Sequence, residues 1–184
     1  MSGWTSRMGF PMVSADVISW DGDNLKVKLK QSKFSKTAGL IECEPWSIPL
    51  TILSSNGEEQ KMIFNKSELE ISLAGVKKES GWMKLNASFM NWHQVKYDSQ
   101  LLSALTKNLT SLDTLDRLAI PYEVNTLASA GVVSIVEYLK VRFKDRYRSL
   151  TKNKCVGFGG LRYRDTILYL GRYLPFSWPA IPHC

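Results

Sequence analysis

The hydrophobic period of the chain changes once, at Asp98, and that change limits its folds more than any other feature. Between residues 10 and 98 apolar residues recur at every second position; beyond it they recur three and four apart. In "NLKVKLKQ", Leu25, Val27 and Leu29 point one way and Lys26, Lys28 and Lys30 the other, the mark of a strand with one buried face. "WSIPLTIL" puts Trp46, Ile48, Leu50 and Ile52 on one face, and "ELEISL" sets Leu69, Ile71 and Leu73 against Glu68, Glu70 and Ser72. "GFPMVSADV", "QKMIFN", "WMKLNA" and "WHQVKY" bring the total to about seven candidate strands, some separated by turn signals such as "WDGDN" and "SSNGEE". Short alternating strands at this spacing predict an antiparallel, immunoglobulin-like β-sandwich over residues 9–98. Pro11 and Pro49 cannot donate ladder hydrogen bonds, so they belong at strand starts or on edges.

The second period predicts α-helices over residues 99–150, the opening of a truncated helical solenoid. Asp98 or Ser99 can cap "QLLSALTKNL", whose Leu101, Leu102, Leu105 and Leu109 share a face. "SLDTLDRLAIPYEVNTLASAG" reads as a second helix, capped by Ser111 or Asp113 and stopped by Gly131, with Pro121 expected to kink or split it. The third, "VVSIVEYLKVRFKDRYRSL", lines up Val132, Val136, Leu139, Phe143, Tyr147 and Leu150 in one stripe.

At 184 residues, 44% of them hydrophobic and 22% charged, the chain has a globular composition. No apolar run reaches 18 residues, so no membrane span is expected. "MSGWTSRMGFP" has no long apolar core, so no signal peptide is expected. The net charge of +7 is unevenly placed: residues 140–184 hold 10 Lys/Arg against 2 Asp/Glu, whereas residues 1–139 hold 14 against 15. The basic excess belongs to the tail, and nucleic-acid binding through that tail is the last-ranked reading. Cys43, Cys155 and Cys184 are odd in number with no C-x-x-C pair, which fits reduced thiols better than a disulfide framework or a structural zinc site. The sequons at Asn65, Asn86 and Asn108 are treated as coincidental.

Candidate chemistry is sparse. His93 is one of two histidines; alternation groups it with Val95 and Tyr97, and a packed or surface strand histidine is the favoured reading. His183 lies in a proline-rich end. Trp46, Trp82 and Trp92 occupy positions expected to face the core. "GFGG" at 157–160 lacks the Lys-Ser/Thr of a phosphate-binding loop. Lys140, Arg142, Lys144, Arg146 and Arg148 make a basic helix face, read as solvated in preference to a membrane or acidic-partner surface. Glu42 with Glu44, Glu58 with Glu59 and Glu68 with Glu70 pair with no candidate acid, base or nucleophile. No catalytic residue and no metal ligand can be named.

Several stretches, taken in order, resemble the gluzincin zinc aminopeptidases, most of all the puromycin-sensitive type. They are "WTSRMGFPMV" (4–13), "LKQSKF" (29–34), "CEPWSIPLTI" (43–52), "WMKLN" (82–86) with Tyr97-Asp98, and "LDRLAIPYEVNTLASAGVVSIVEYLKV" (115–141), which carries Asp116-Arg117 and Ala130-Gly131. The resemblance implies a linker remnant at 1–8, the sandwich at 9–98, the first helices of the C-terminal helical domain at 99–150, and an unmatched basic tail at 151–184. "GWMKLNASFMNWHQVKYD" (81–98) then resembles the hairpin joining sandwich to helices. Asn91, Trp92, His93 and Gln94 stand where relatives usually carry Gly, an aromatic, Tyr and Arg, and the missing Arg removes a charged anchor.

That family binds zinc through an H-E-x-x-H helix and a downstream glutamate, with a G-x-M-E-N loop for the peptide amino terminus. None of these motifs occurs in residues 1–184. The resemblance therefore implies a non-catalytic, cytoplasmic portion that supports the chamber and packs with the catalytic domain. Zinc and peptide substrates belong to the parent enzyme, with no zinc bound here. The alternative is a stand-alone β-sandwich binding module with a basic helical tail.

Overall fold

The computed structural model describes the backbone of residues 9–150 and the side chains of residues 9–143. The described residues open with a long antiparallel hairpin, β1 (Phe10–Asp21) and β2 (Asn24–Ser35), whose turn uses Gly22 at φ 58°. The register shifts by one residue between Val17 and Ser19, a bulge beyond which pairing resumes from Ser19 with Lys26 to Asp21 with Asn24. There follow β3 (Gly39–Ile41), β4 (Ile48–Ser54), β5 (Glu59–Phe64), β6 (Glu68–Leu73), β7 (Met83–Leu85) and β8 (Gln94–Tyr97). One sheet runs β3-β2-β1-β8, with β6 also on β2; the other runs β5-β4-β7. Eight strands thus stand where about seven were expected, in two sheets facing a shared core.

The alternation read from the sequence is realised where one face is buried. Leu25, Val27 and Leu29 are wholly buried, as are Ile48 and Ile52, while Lys26 is exposed and Lys28 and Lys30 reach Glu68 across the sheet at 2.7 and 3.8 Å. Gln31 breaks the apolar run for a reason: its Nε2 donates to the Trp46 and Phe64 carbonyls, both at 3.0 Å, and its Oε1 accepts from the Trp46 amide at 2.9 Å. Both prolines lie second in their strands, where the outer neighbours β8 and β7 do not yet pair.

The expected hairpin at 81–98 is not one. β7 pairs antiparallel with β4 in the second sheet, whereas β8 pairs parallel with β1 in the first. The segment between them crosses from sheet to sheet, so these two strands never share a ladder. Trp46 and Trp82 are buried as expected, but Trp92 lies on that crossing segment and is 87% exposed. Outside a strand, the two-residue period no longer governs which side it faces.

Helix α1 (Ser99–Lys107) buries Leu101, Leu102 and Leu105, with Leu109 just beyond its end. Asp98 caps it, Oδ1 accepting from the Leu101 amide at 2.7 Å. Helix α2 (Thr114–Ser129) is capped by Asp113 in the same way at 2.7 Å, and Gly131 at φ 71° follows its end. Pro121 neither splits nor ends it. Packing of Ile120, Pro121 and Val124 against the sandwich offsets the local cost of the missing amide. In α3 (Ile135–Leu150), Val141 faces inward, while Val136 and Phe143, two members of the expected stripe, are 52% and 64% exposed. Tyr147 and Leu150 of that stripe, the linker remnant at 1–8 and the tail at 151–184 lie outside the residues whose side chains are described.

Candidate functional site

A buried group of ionisable side chains lies under α2, beside β7 and β8. Asp116 and Glu123 are seven residues apart on α2, on the face that carries Ile120 and Leu127 inward. Two turns of helix bring both carboxylates to Lys84, the central residue of β7. All three side chains are at most 2% exposed. Lys84 Nζ lies 3.8 Å from Asp116 Oδ1 and 4.0 Å from Glu123 Oε2, and donates at 2.5 Å to the Leu85 carbonyl.

β7 is buried on both faces because α2 covers what would otherwise be its outer side, so the alternation that fixes β2 and β4 is lost there. Tyr97, from β8, completes the group. Its hydroxyl accepts from the Leu85 amide at 2.9 Å and donates to the Leu85 carbonyl at 3.4 Å. Tyr97 of one sheet therefore holds the Leu85 backbone of the other, and Lys84 links the same carbonyl to the α2 carboxylates.

The crossing segment folds over the cluster with unusual backbone. Asn86, Ser88 and Phe89 have φ of 53°, 59° and 50°, a conformation that L-residues other than Asn and Asp rarely adopt. Asn86 sustains it by exchanging two 2.9 Å hydrogen bonds with the Asn91 backbone. One result is that the Ser88 and Phe89 amides turn toward the Asp116 carboxylate.

Burial dominates the electrostatics. It raises the Asp116 carboxyl, which those amides and Lys84 pull partly back. Burial pushes Glu123 up to about 7, against the attraction of Lys84 and with the help of Asp116. It drives the Tyr97 phenol well above its ordinary value, with Glu123 adding to the effect. His93, 3% exposed, is lowered to about 4 by burial and then by Lys84. Both His93 ring nitrogens, both Glu123 oxygens and Asp116 Oδ1 are buried without a hydrogen-bond partner.

This arrangement is a poor centre for catalysis or zinc. Its members are sealed, and two clefts of the described residues lie elsewhere: about 340 Å³ beside Trp20, Lys78 and Asp98, and about 200 Å³ between α1 and α3. Asp98 is already committed, Oδ1 to the α1 cap and Oδ2 to the Val17 amide at 2.7 Å. Among the described residues no three His, Cys, Asp or Glu are grouped to hold a metal ion, and an ammonium stands between the two buried carboxylates. The residues present do not fit zinc.

Of the positions singled out by sequence, His93 comes near Lys84, while the glutamate pairs lie on exposed turns and strand faces and Lys140 and Arg142 are exposed on α3. Cys43 is half-buried. Lys144, Arg146, Arg148, the 157–160 glycines, Cys155, His183 and Cys184 lie outside the described side chains. Sequence reasoning missed Lys84, Asp116 and Glu123 as a unit. The available signal was the placement of two carboxylates on the apolar face of α2.

No family model matches the chain. Curated relatives do. A puromycin-sensitive aminopeptidase of Caenorhabditis elegans is 27% identical over 147 residues, covering 77% of this chain and 15% of that protein. Aminopeptidase M1 of Arabidopsis thaliana is 32% identical over 155 residues, covering 76% and 17%. Tricorn protease-interacting factor F2 of Thermoplasma acidophilum is 24% identical over 139 residues, covering 76% and 16%. Among the described residues no helix is long and apolar enough to cross a membrane. By these relationships about three quarters of the chain is homologous to the M1 family aminopeptidases, of whose length it spans 15–17%.

Proposed function

We propose that this chain is a non-catalytic portion of a cytoplasmic M1-type zinc aminopeptidase. Residues 9–98 are its β-sandwich and residues 99–150 the first helices of its C-terminal helical domain, and together they support a catalytic domain of the same family that removes N-terminal residues from peptides. Zinc and the peptide belong to that domain. The observation that carries this reading is the homology itself, which spans sandwich and helices together while the chain contains no H-E-x-x-H sequence. The sealed Lys84 cluster is what a rigid support would need at its joint, and it offers nothing to a substrate.

The test uses the 184-residue chain and a separately produced catalytic domain from a related enzyme. The chain alone is expected to bind no zinc by elemental analysis and to leave an aminoacyl reporter intact. Mixed with the catalytic domain, it is expected to co-migrate on size exclusion and to raise that domain's melting temperature. Stoichiometric zinc and reporter hydrolysis by the chain alone would overturn the reading. Specific capture of an unrelated protein by residues 9–98, with no effect on the catalytic domain, would favour the stand-alone binding module. The exposed Met90 and Trp92 give that alternative its one structural argument.

A further inference from the structure

The charge count under α2 does not balance. One cation, Lys84, faces two carboxylates, Asp116 and Glu123, in a place that excludes water, and an unpaired buried charge is costly enough that one carboxyl keeps its proton instead. Asp116 has the Ser88 and Phe89 amides to hold its negative charge. Glu123 has neither oxygen hydrogen-bonded, so the retained proton falls to Glu123. On the opposite side of the ledger stands His93, buried beside the same ammonium with both ring nitrogens unpartnered, where a second positive charge would be repelled.

We propose that Glu123 and His93 form a compensated pair that holds the joint between the sandwich and α2 at nearly constant stability through mildly acidic and neutral pH. Every neighbouring charge bears on this. From β7, Lys84 acts on both groups; from β8, the Tyr97 phenol stays protonated beside Glu123; from α2 itself, Asp116 opposes Glu123, and Asp113 in turn raises Asp116.

The two contributions have opposite sign. Glu123 binds its proton more tightly folded than unfolded, so its contribution is intact below pH 4.5 and is lost as pH rises to about 7. His93 binds its proton less tightly folded, so its contribution is complete above pH 6.5 and is lost as pH falls to about 4. Over the shared window the two slopes oppose each other, and Asp116, also raised by burial, adds to the Glu123 side only toward its acidic end. Either alone would shift the folded-to-unfolded ratio on the order of a hundredfold.

The experiment is urea unfolding of the full chain between pH 5 and 8. The expected result is a nearly level midpoint for the native sequence, a midpoint that climbs with pH in Glu123→Gln, and one that falls with pH in His93→Gln. Variants whose profiles parallel the native one would overturn the proposal, as would two slopes of the same sign. If either variant fails to fold, two spectroscopic readings on otherwise native protein decide. With His183→Gln leaving a single imidazole, His93 should be uncharged by NMR at pH 5, and difference infrared spectra should show a protonated carboxyl at pH 6 that is lost by pH 8 and carries the Glu123 isotope label. An imidazole titrating at its ordinary value, or no such carboxyl, rejects the compensated pair.

Discussion

Replacing Lys84 with methionine would keep the length of the side chain while removing the cation that faces Asp116 and Glu123. Breaking one partner out of a buried ionic group costs more than deleting the group, because the charges left behind have no water to turn to. Lys84→Met should therefore lose about 3–5 kcal/mol of stability, and the triple variant Lys84→Met/Asp116→Asn/Glu123→Leu should recover most of it. Chemical unfolding of the two proteins at one pH checks this; equal losses in both would mean that Lys84 matters for packing rather than for charge. Gly81 answers to shape instead. A Cβ there would run into the Lys77 carbonyl and would sit 2.6 Å from Val76 Cγ1, so Gly81→Ala should cost about 1–3 kcal/mol by the same measurement.

Between elements, Asp98 carries two attachments at once. Its Oδ1 caps α1 and its Oδ2 holds the Val17 amide, at the bulge where β1 leaves its regular ladder. Asp98→Ala removes a cap and strands a part-buried donor, with an expected loss of about 2–3 kcal/mol, whereas Asp98→Asn should keep the cap and lose less. Thermal melts of the pair distinguish the contributions. A cap at Asp98 or Ser99 was legible, because short polar residues stand just before an apolar stripe, and the structure selects Asp98. Strands β2, β4 and β6 were legible for the analogous reason that each buries one face only. β7 was legible as a strand in "WMKLNA", but not its facing: Met83, Lys84 and Leu85 are all buried, so period two has nothing to contrast. Trp92 and Pro121 misled in opposite directions, the first because it left the strand, the second because tertiary packing kept the helix whole. The candidate site was the least legible part, since its three charges come from positions 84, 116 and 123 and only folding brings them together.

For the molecule as a whole, apolar surface remains on the helical side. Leu115 and Tyr122 on α2 are 58% and 59% exposed, and Ile135, Val136 and Phe143 on α3 range from 47% to 64%. Patches of this kind favour association, so the isolated chain should show a concentration-dependent mass by light scattering that Val136→Glu/Phe143→Glu reduces. A monodisperse monomer in the native sequence would refute this. The parallel pairing of β8 with β1 bears on how the chain is made. Met12 aligns with Gln94 and Ala15 with Tyr97, so the first strand gains its second neighbour only after some eighty further residues. During synthesis at about 5–20 residues per second, one edge of β1 must wait several seconds for its partner, open to any other strand nearby. Ribosome-bound chains stalled before residue 94 should therefore be protease-sensitive and chaperone-bound, and those stalled well past Tyr97, with the helices emerged, should not: the nascent sandwich is closed by the last of its described strands to leave the tunnel.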